Sequence, residues 1–221
     1  MKNSRMLTGV CVAILLSLVT SGLALADGGK MYQVTITNLT QKQVITPPLL
    51  ISHKRGFEVF RIGQAASDEL VALAEGGDTQ PLAAVLGTRD DVLDLAVAGG
   101  PILPGTSTTM QVRTRGKFNR LSVVGMLATT NDAFFALQGV RGRSDRQIAL
   151  TAVAYDAGSE ANTEQCAHIP GPPCGSQVRM TTGAEGFIHV HNGIHGIGDL
   201  NRAAMDWRNP VVRVTIEKVN R

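Results

Sequence analysis

Three histidines fall within seven residues, at His189, His191 and His195. On a strand, His189 and His191 point to the same face with Cα atoms about 7 Å apart, so two imidazoles can share one transition metal ion. His195 follows a turn at Gly193 and can swing in as a third ligand. Three neutral imidazoles with a water make an open site of the kind that holds Zn2+ or Cu2+. No acid at a fixed spacing offers itself as a general base, which weakens the metalloenzyme version of this reading. The competing reading is hydrogen-bonded histidine packed at a sheet end, with glycines for the turn.

Oxygen chemistry has two candidate stretches. In Leu121–Leu137, LSVVGMLATTNDAFFAL, two apolar runs flank a polar elbow that carries one acid, Asp132. A carboxylate at the rim of a sheet can join loop carbonyls around a hard cation such as Ca2+. An Asx-type turn, in which Asn131 or Asp132 bonds its own backbone, is the plainer alternative. The second stretch, YDAGSEANTE at 155–164, places Asp156, Glu160 and Glu164 with Asn162 just after a strand. Hard cations want several oxygens from such a loop, but the spacing is not that of an EF-hand. A solvated acidic loop has the same composition.

Redox chemistry is confined to Cys166 and Cys174, which flank a loop with Pro170, Pro172 and Pro173. In an exported chain this spacing favours a disulfide. Zinc binding by Cys166, His168 and Cys174 is the alternative. No G-x-S-x-G elbow, phosphate loop, dinucleotide-binding glycine pattern or H-E-x-x-H is present. Arg141, Arg143 and Arg146 share one loop, either a solvated turn or a contact for a sulfated or acidic glycan.

The elements that must hold these residues are mostly strands. Residues 1–26 come first and read as an export signal: Lys2 and Arg5, an apolar stretch from Val10 to Val19, and Ala24-Leu25-Ala26 at the cleavage point. No second long apolar run follows, so no membrane span is expected in residues 27–221. Removing the signal takes away two cations and no acid, and the net charge falls from +3 to +1. That excess is too small to argue for nucleic acid. The remaining length fits one domain over residues 27–221, in the periplasm or outside the cell.

Period-two alternation marks Tyr32–Thr37, Thr108–Arg113 and Val212–Glu217, with the last strand expected to pair with the first. Val92–Val97 and Phe57–Ile62 are further strand candidates. Ile148–Tyr155 is apolar on both faces and reads as one central strand. Ser67 is an N-cap with Asp68 and Glu69 in the first turn behind it, and Pro81 starts a second short helix. The pattern is all-β: an antiparallel sandwich with two short inserted helices.

The order of several blocks resembles the spondin amino-terminal domain family in its bacterial secreted form. The blocks are YQVTITNLT (32–40), PPLLISH (47–53), VFRIGQAASDELVALAEGGD (59–78), NDAFFAL (131–137), YDAGSEANTE (155–164), GFIHVHNGIHGIGDL (186–200) and DWRNPVVRVTI (206–216). The resemblance implies a C2-like antiparallel β-sandwich with a calcium site at one end. It also implies a non-enzymatic role in adhesion, through a surface, matrix or glycan ligand. Its calcium set would comprise Asp132 and a backbone carbonyl near Ala136; the match at YDAGSE gives Asp156 a fixed job, which includes capping the loop, and the oxygen-rich loop adds Asp156 and Glu160 to the candidate ligands. This chain departs from the animal pattern at the elbow, which reads Thr129-Thr130-Asn131-Asp132-Ala133 here. A glutamate expected from an earlier strand also has no counterpart in Thr108–Val112, and one anionic ligand fewer weakens a hard-cation site.

Overall fold

The computed structural model describes residues 28–219, so the export signal read over residues 1–26 lies outside the described residues. The strands are β1 (Lys30–Asn38), β2 (Leu49–Lys54), β3 (Val92–Val97), β4 (Ser107–Thr114), β5 (Phe118–Met126), β6 (Ala133–Arg141), β7 (Ile148–Ala152), β8 (Ala154–Asp156), β9 (His189–Val190) and β10 (Val212–Lys218). The helices are α1 (Asp68–Gly76), α2 (Gln80–Gly87) and the four-residue α3 (Arg202–Met205). The strands form two antiparallel sheets, β4-β1-β10-β7 and β3-β2-β5-β6-β8-β9. This is the all-β sandwich with small helical inserts that the periodicities imply.

In the first sheet Tyr32, Val34 and Ile36 of β1 are buried while the residues between them reach outward. One wet face and one dry face produce that alternation. β1 pairs with β10 in register from Tyr32↔Lys218 to Asn38↔Val212, so the expected first-to-last pairing forms. The second sheet is covered on both sides. Leu121 and Val123 face the first sheet, whereas Leu49, Ile51, Val124 and Phe134 pack under Leu70, Leu73, Leu82 and Leu86 of α1 and α2. Two dry faces explain why β5 is buried at each residue from Leu121 to Met126. Ser67 caps α1, its Oγ accepting from the Leu70 N–H at 3.3 Å.

Two strand expectations are corrected. Phe57–Ile62 is irregular backbone whose Phe57 and Phe60 plug the cluster beneath the helices. The apolar spacing that suggested a strand comes from anchoring a loop. Ile148–Tyr155 is not one central strand: the chain leaves β7, at an edge of the first sheet, and enters β8 in the second. Ala152 and Ala154 face the inter-sheet core on either side of the crossing, whereas Tyr155, of the opposite phase, packs against the cluster beneath the helices. No helix among the described residues is long and apolar enough to cross a membrane.

Candidate metal centre

The β5–β6 elbow folds inward, and its residues Ala128 to Asp132 are all buried. Thr130 makes the turn: its Oγ1 donates to the Leu127 carbonyl at 2.6 Å and accepts from the Ala133 N–H at 3.0 Å. Asp132 is therefore released from local duty. Its Oδ2 accepts from Ser159 N–H (2.8 Å), Ser159 O–H (3.1 Å) and Glu160 N–H (3.0 Å), tying down a loop 27 residues away. Its Oδ1 is buried without a partner. Burial first, and the charge of Asp156 second, push the Asp132 carboxyl up to about 7.

Asp156 ends β8 and stands opposite Ala133 in register, which brings it beside the elbow. Its Oδ1 accepts from the Gly158 N–H at 2.7 Å, and its Oδ2 accepts from Asn162 Nδ2 at 2.6 Å. Gly158 has φ +67°, and an added Cβ there would lie 2.3 Å from the Phe187 carbonyl oxygen. Only glycine permits this approach, and it presses the 185–189 segment against Asp156. As a result Asp156, Glu185 and His189 bring one ligand atom each to within 4.8 Å of one another. Asp156 is buried, His189 half-buried and Glu185 exposed, so the group opens to solvent on one side.

The hydrogen bonds suit a metal ligand at His189. Its Nδ1 lies 3.1 Å from the Val190 carbonyl and must carry the proton to donate there. In the neutral ring the lone pair is then on Nε2, and it is this nitrogen that faces Asp156 Oδ1 at 3.6 Å. A backbone carbonyl behind the distal nitrogen is the usual support for a metal-binding imidazole. Asn162 supports the carboxylates, its Nδ2 donating to Asp156 Oδ2 and to Glu185 Oε1 at 3.3 Å.

His191 has a different role. Its Nδ1 accepts from the Gly193 N–H at 3.0 Å, so its Nε2 carries the proton and donates to Asn162 Oδ1 at 3.2 Å. Both nitrogens are used. Burial, followed by the neighbouring His189 and His195, holds its pKa down at about 4, and the ring stays neutral. Through Asn162 it orients Asp156 and Glu185.

The two sets read from the sequence are thus each split. Among the described residues, Asp156, Glu185 and His189 are the one group of three such side chains that converges. Asp132, Asp156 and Glu160 do not gather into a three-carboxylate shell. Burial compels each of them to accept backbone or amide donors: Glu160 Oε1 takes the Met180 N–H at 2.6 Å, and burial raises that carboxyl to about 7. Ala136 lies three residues past Ala133 along β6, about 10 Å deeper into the sheet, with its side chain under the helices. His195 does not join His189 and His191, because its backbone is held elsewhere. The buried Glu164 accepts from the N–H groups of His195 (2.5 Å), Gly196 (2.6 Å) and Ile197 (3.0 Å), leaving the imidazole exposed. Cys166 and Cys174 form a disulfide with Cα atoms 4.8 Å apart, which removes both thiolates from any zinc set with His168.

Sequence reasoning missed Glu185. It precedes His189 by four residues, and an acid that close to the histidine run is a signal that could have been used. Glu164 was named with the acidic loop, but its partners are backbone amides, which left no signal of its role.

No family model matches this chain, and no curated protein matches it. Its chemistry is therefore read from the donor set. Calcium takes oxygen ligands throughout, and the imidazole at His189 does not fit that preference. Two carboxylates and one imidazole could hold a metal ion and would leave positions in its coordination sphere for a further ligand.

Proposed function

We propose that this chain is an exported, non-enzymatic binding module of the spondin type, which engages a surface or matrix ligand with the help of a zinc-class ion held by Asp156, Glu185 and His189. The observation that carries the reading is the convergence of those three side chains, with His189 Nδ1 hydrogen-bonded to the Val190 carbonyl and Nε2 turned toward Asp156. Two further features support it. The centre lies beside β9, a two-residue edge strand, so a partner can approach from the side. Phe187 and Val190 flank His189 and are 45% and 47% exposed. An exposed aromatic ring packed 5.5 Å from His189, that of Phe187, suits docking better than small-molecule turnover. The disulfide and the export signal fit a periplasmic or extracellular setting.

Elemental analysis of untagged protein, followed by calorimetric titration with zinc and with calcium, tests the metal. One zinc per chain, lost in Glu185→Gln and His189→Ala, is expected, with no heat from millimolar calcium. Calcium binding without zinc binding would return the site to a hard cation and refute the donor assignment. Retention of the zinc-loaded protein on immobilised matrix or envelope material tests the binding clause. Retention that survives both His189→Ala and Phe187→Ala would move the ligand surface elsewhere.

A further inference from the structure

The opposite end of the sandwich holds a cavity of about 480 Å3, formed where β1 begins, β4 turns into β5 and β6 runs out. Its lining includes Lys30, Tyr32, Arg115, Asn119, Arg141 and Arg143. The single acid in the lining is Asp145, and Arg143 holds it in a two-pronged pair with both contacts at 3.0 Å. No acid among the described residues pairs with Lys30 or Arg141.

Two features here suit an anion. Arg141 stands opposite Arg120 in the β5–β6 register, and like charges across a strand pair repel. Tyr32 lines the cavity, and its hydroxyl makes no hydrogen bond to the described residues, so it is open to a ligand there. The Tyr32 ring is fixed by Gly142, where an added Cβ would sit 2.7 Å from the ring, so the phenol cannot turn away.

We propose that this cavity binds the sulfate or carboxylate groups of an acidic polysaccharide, with Lys30 and Arg141 contacting the oxyanion and the Tyr32 hydroxyl donating to it. A guanidinium presents paired N–H donors that match the oxygens of sulfate and carboxylate. The volume lies in the range of small-ligand sites, enough for a short stretch of sugar. The charge is concentrated in one cavity on a chain of net charge +3 including the export signal, so there is no broad basic field of the kind nucleic-acid binders carry. This goes beyond the proposed metal-assisted binding and uses none of its residues.

The test is calorimetric titration of the oxidised protein with a heparin-type hexasaccharide, with inorganic sulfate and with single-stranded DNA. The hexasaccharide is expected to bind more tightly than either of the others. Replacing Lys30→Gln and Arg141→Gln together should weaken it about tenfold or more, the scale of a lost charge-assisted hydrogen bond. Tyr32→Phe should weaken it about threefold with unchanged Tm, as one neutral hydrogen bond is removed. Arg213→Gln, on the outer face of β10, is the charge control and should change it less than about twofold. No hexasaccharide binding, equal losses in the control and the double variant, or DNA binding as tight as the sugar would each overturn the proposal. Saturation by inorganic sulfate at the same affinity as the hexasaccharide would reduce the cavity to a simple anion site and overturn the polysaccharide assignment.

Discussion

The two ends of β6 carry opposite kinds of charge in opposite settings. At its start, Asp132 and Asp156 are buried, and each accepts hydrogen bonds from the loops around it. At its end, Arg141 and its neighbours are exposed around an open cavity. Nine strand residues separate the ends by about 27 Å, several times the screening length at physiological salt, so neither end feels the other's charge. The contrast teaches what burial does to an ionisable side chain. A buried carboxylate must be satisfied, so most of the acids at the first end are occupied in holding loops, and only the group that reaches solvent remains suited to a ligand. An exposed cation keeps its water, costs the fold little, and stays available.

Breaking the metal end should leave the basic end unchanged. His189→Ala or Asp156→Asn is expected to lower zinc affinity about 100-fold or more, since a direct ligand matters at least as much as its supports. Arg141→Gln should leave zinc binding within about twofold, because the poles are screened from each other. Calorimetry on both variants checks this, and comparable losses would show that the ends are coupled.

A smaller effect is expected at the disulfide, which closes a sequence separation of eight residues beside the acidic end. Cys166→Ser should reduce stability by about 2–3 kcal/mol at most, read by denaturant unfolding, because the closed loop is short. Thiol titration of the folded wild type should find no free cysteine among the described residues.

Asp132 sharpens the distinction between satisfied and unsatisfied burial. Asp132→Ala leaves the Ser159 and Glu160 amides without an acceptor and should cost about 2 kcal/mol. Asp132→Asn keeps one acceptor oxygen and removes the buried charge, so its Tm at pH 8 should match or exceed that of the wild type. Faster amide exchange at Ser159 and Glu160 in the alanine variant alone would confirm the anchoring role.

The same carboxyls set a modest pH dependence in metal-free protein. Asp132 and Glu160 sit at about 7 when folded, above their ordinary 3.8 and 4.5. The folded state therefore holds protons that the unfolded state has released. Their contribution is complete below the ordinary carboxylate range and is lost as pH rises through about 7. His191 works the other way: held at about 4 against the usual 6.5, it contributes stability above 6.5 and loses it as pH falls toward 4. The two trends oppose at acidic pH, but above 6.5 the His191 contribution is complete and the carboxyl trend remains. Tm should then fall by a few degrees between pH 6.5 and 7.5, and Asp132→Asn should flatten that slope. The least effect belongs to His195→Ala, expected within about 0.5 kcal/mol and about twofold in zinc affinity, because its ring is exposed.

Strands with one wet face were legible in advance, since alternation in β1, β4 and β10 records which side meets water. So was α1, whose Ser67 cap and acidic first turn are local. The crossing at Val153 was not legible. An apolar run reads the same whether it is one strand covered on both sides or two short strands that pass from one sheet to the other. Phe57 and Phe60 misled for a similar reason, because burial and strand geometry are separate properties. At the site, Asp156 and His189 were both singled out but assigned to different ions, since 32 intervening residues hide their proximity.

The sequence alone determined the sandwich class, the helix starts, the cysteine pair and the residue types able to bind a metal, because each rests on local propensity or on a period of a few residues. Tertiary structure decided which of those side chains meet. Asp156 reaches His189 and Glu185 only because Gly158 lets the Phe187 backbone approach, and Asp132, Glu160, Glu164 and His191 are withdrawn from that centre because buried polar atoms must find partners wherever the fold supplies them.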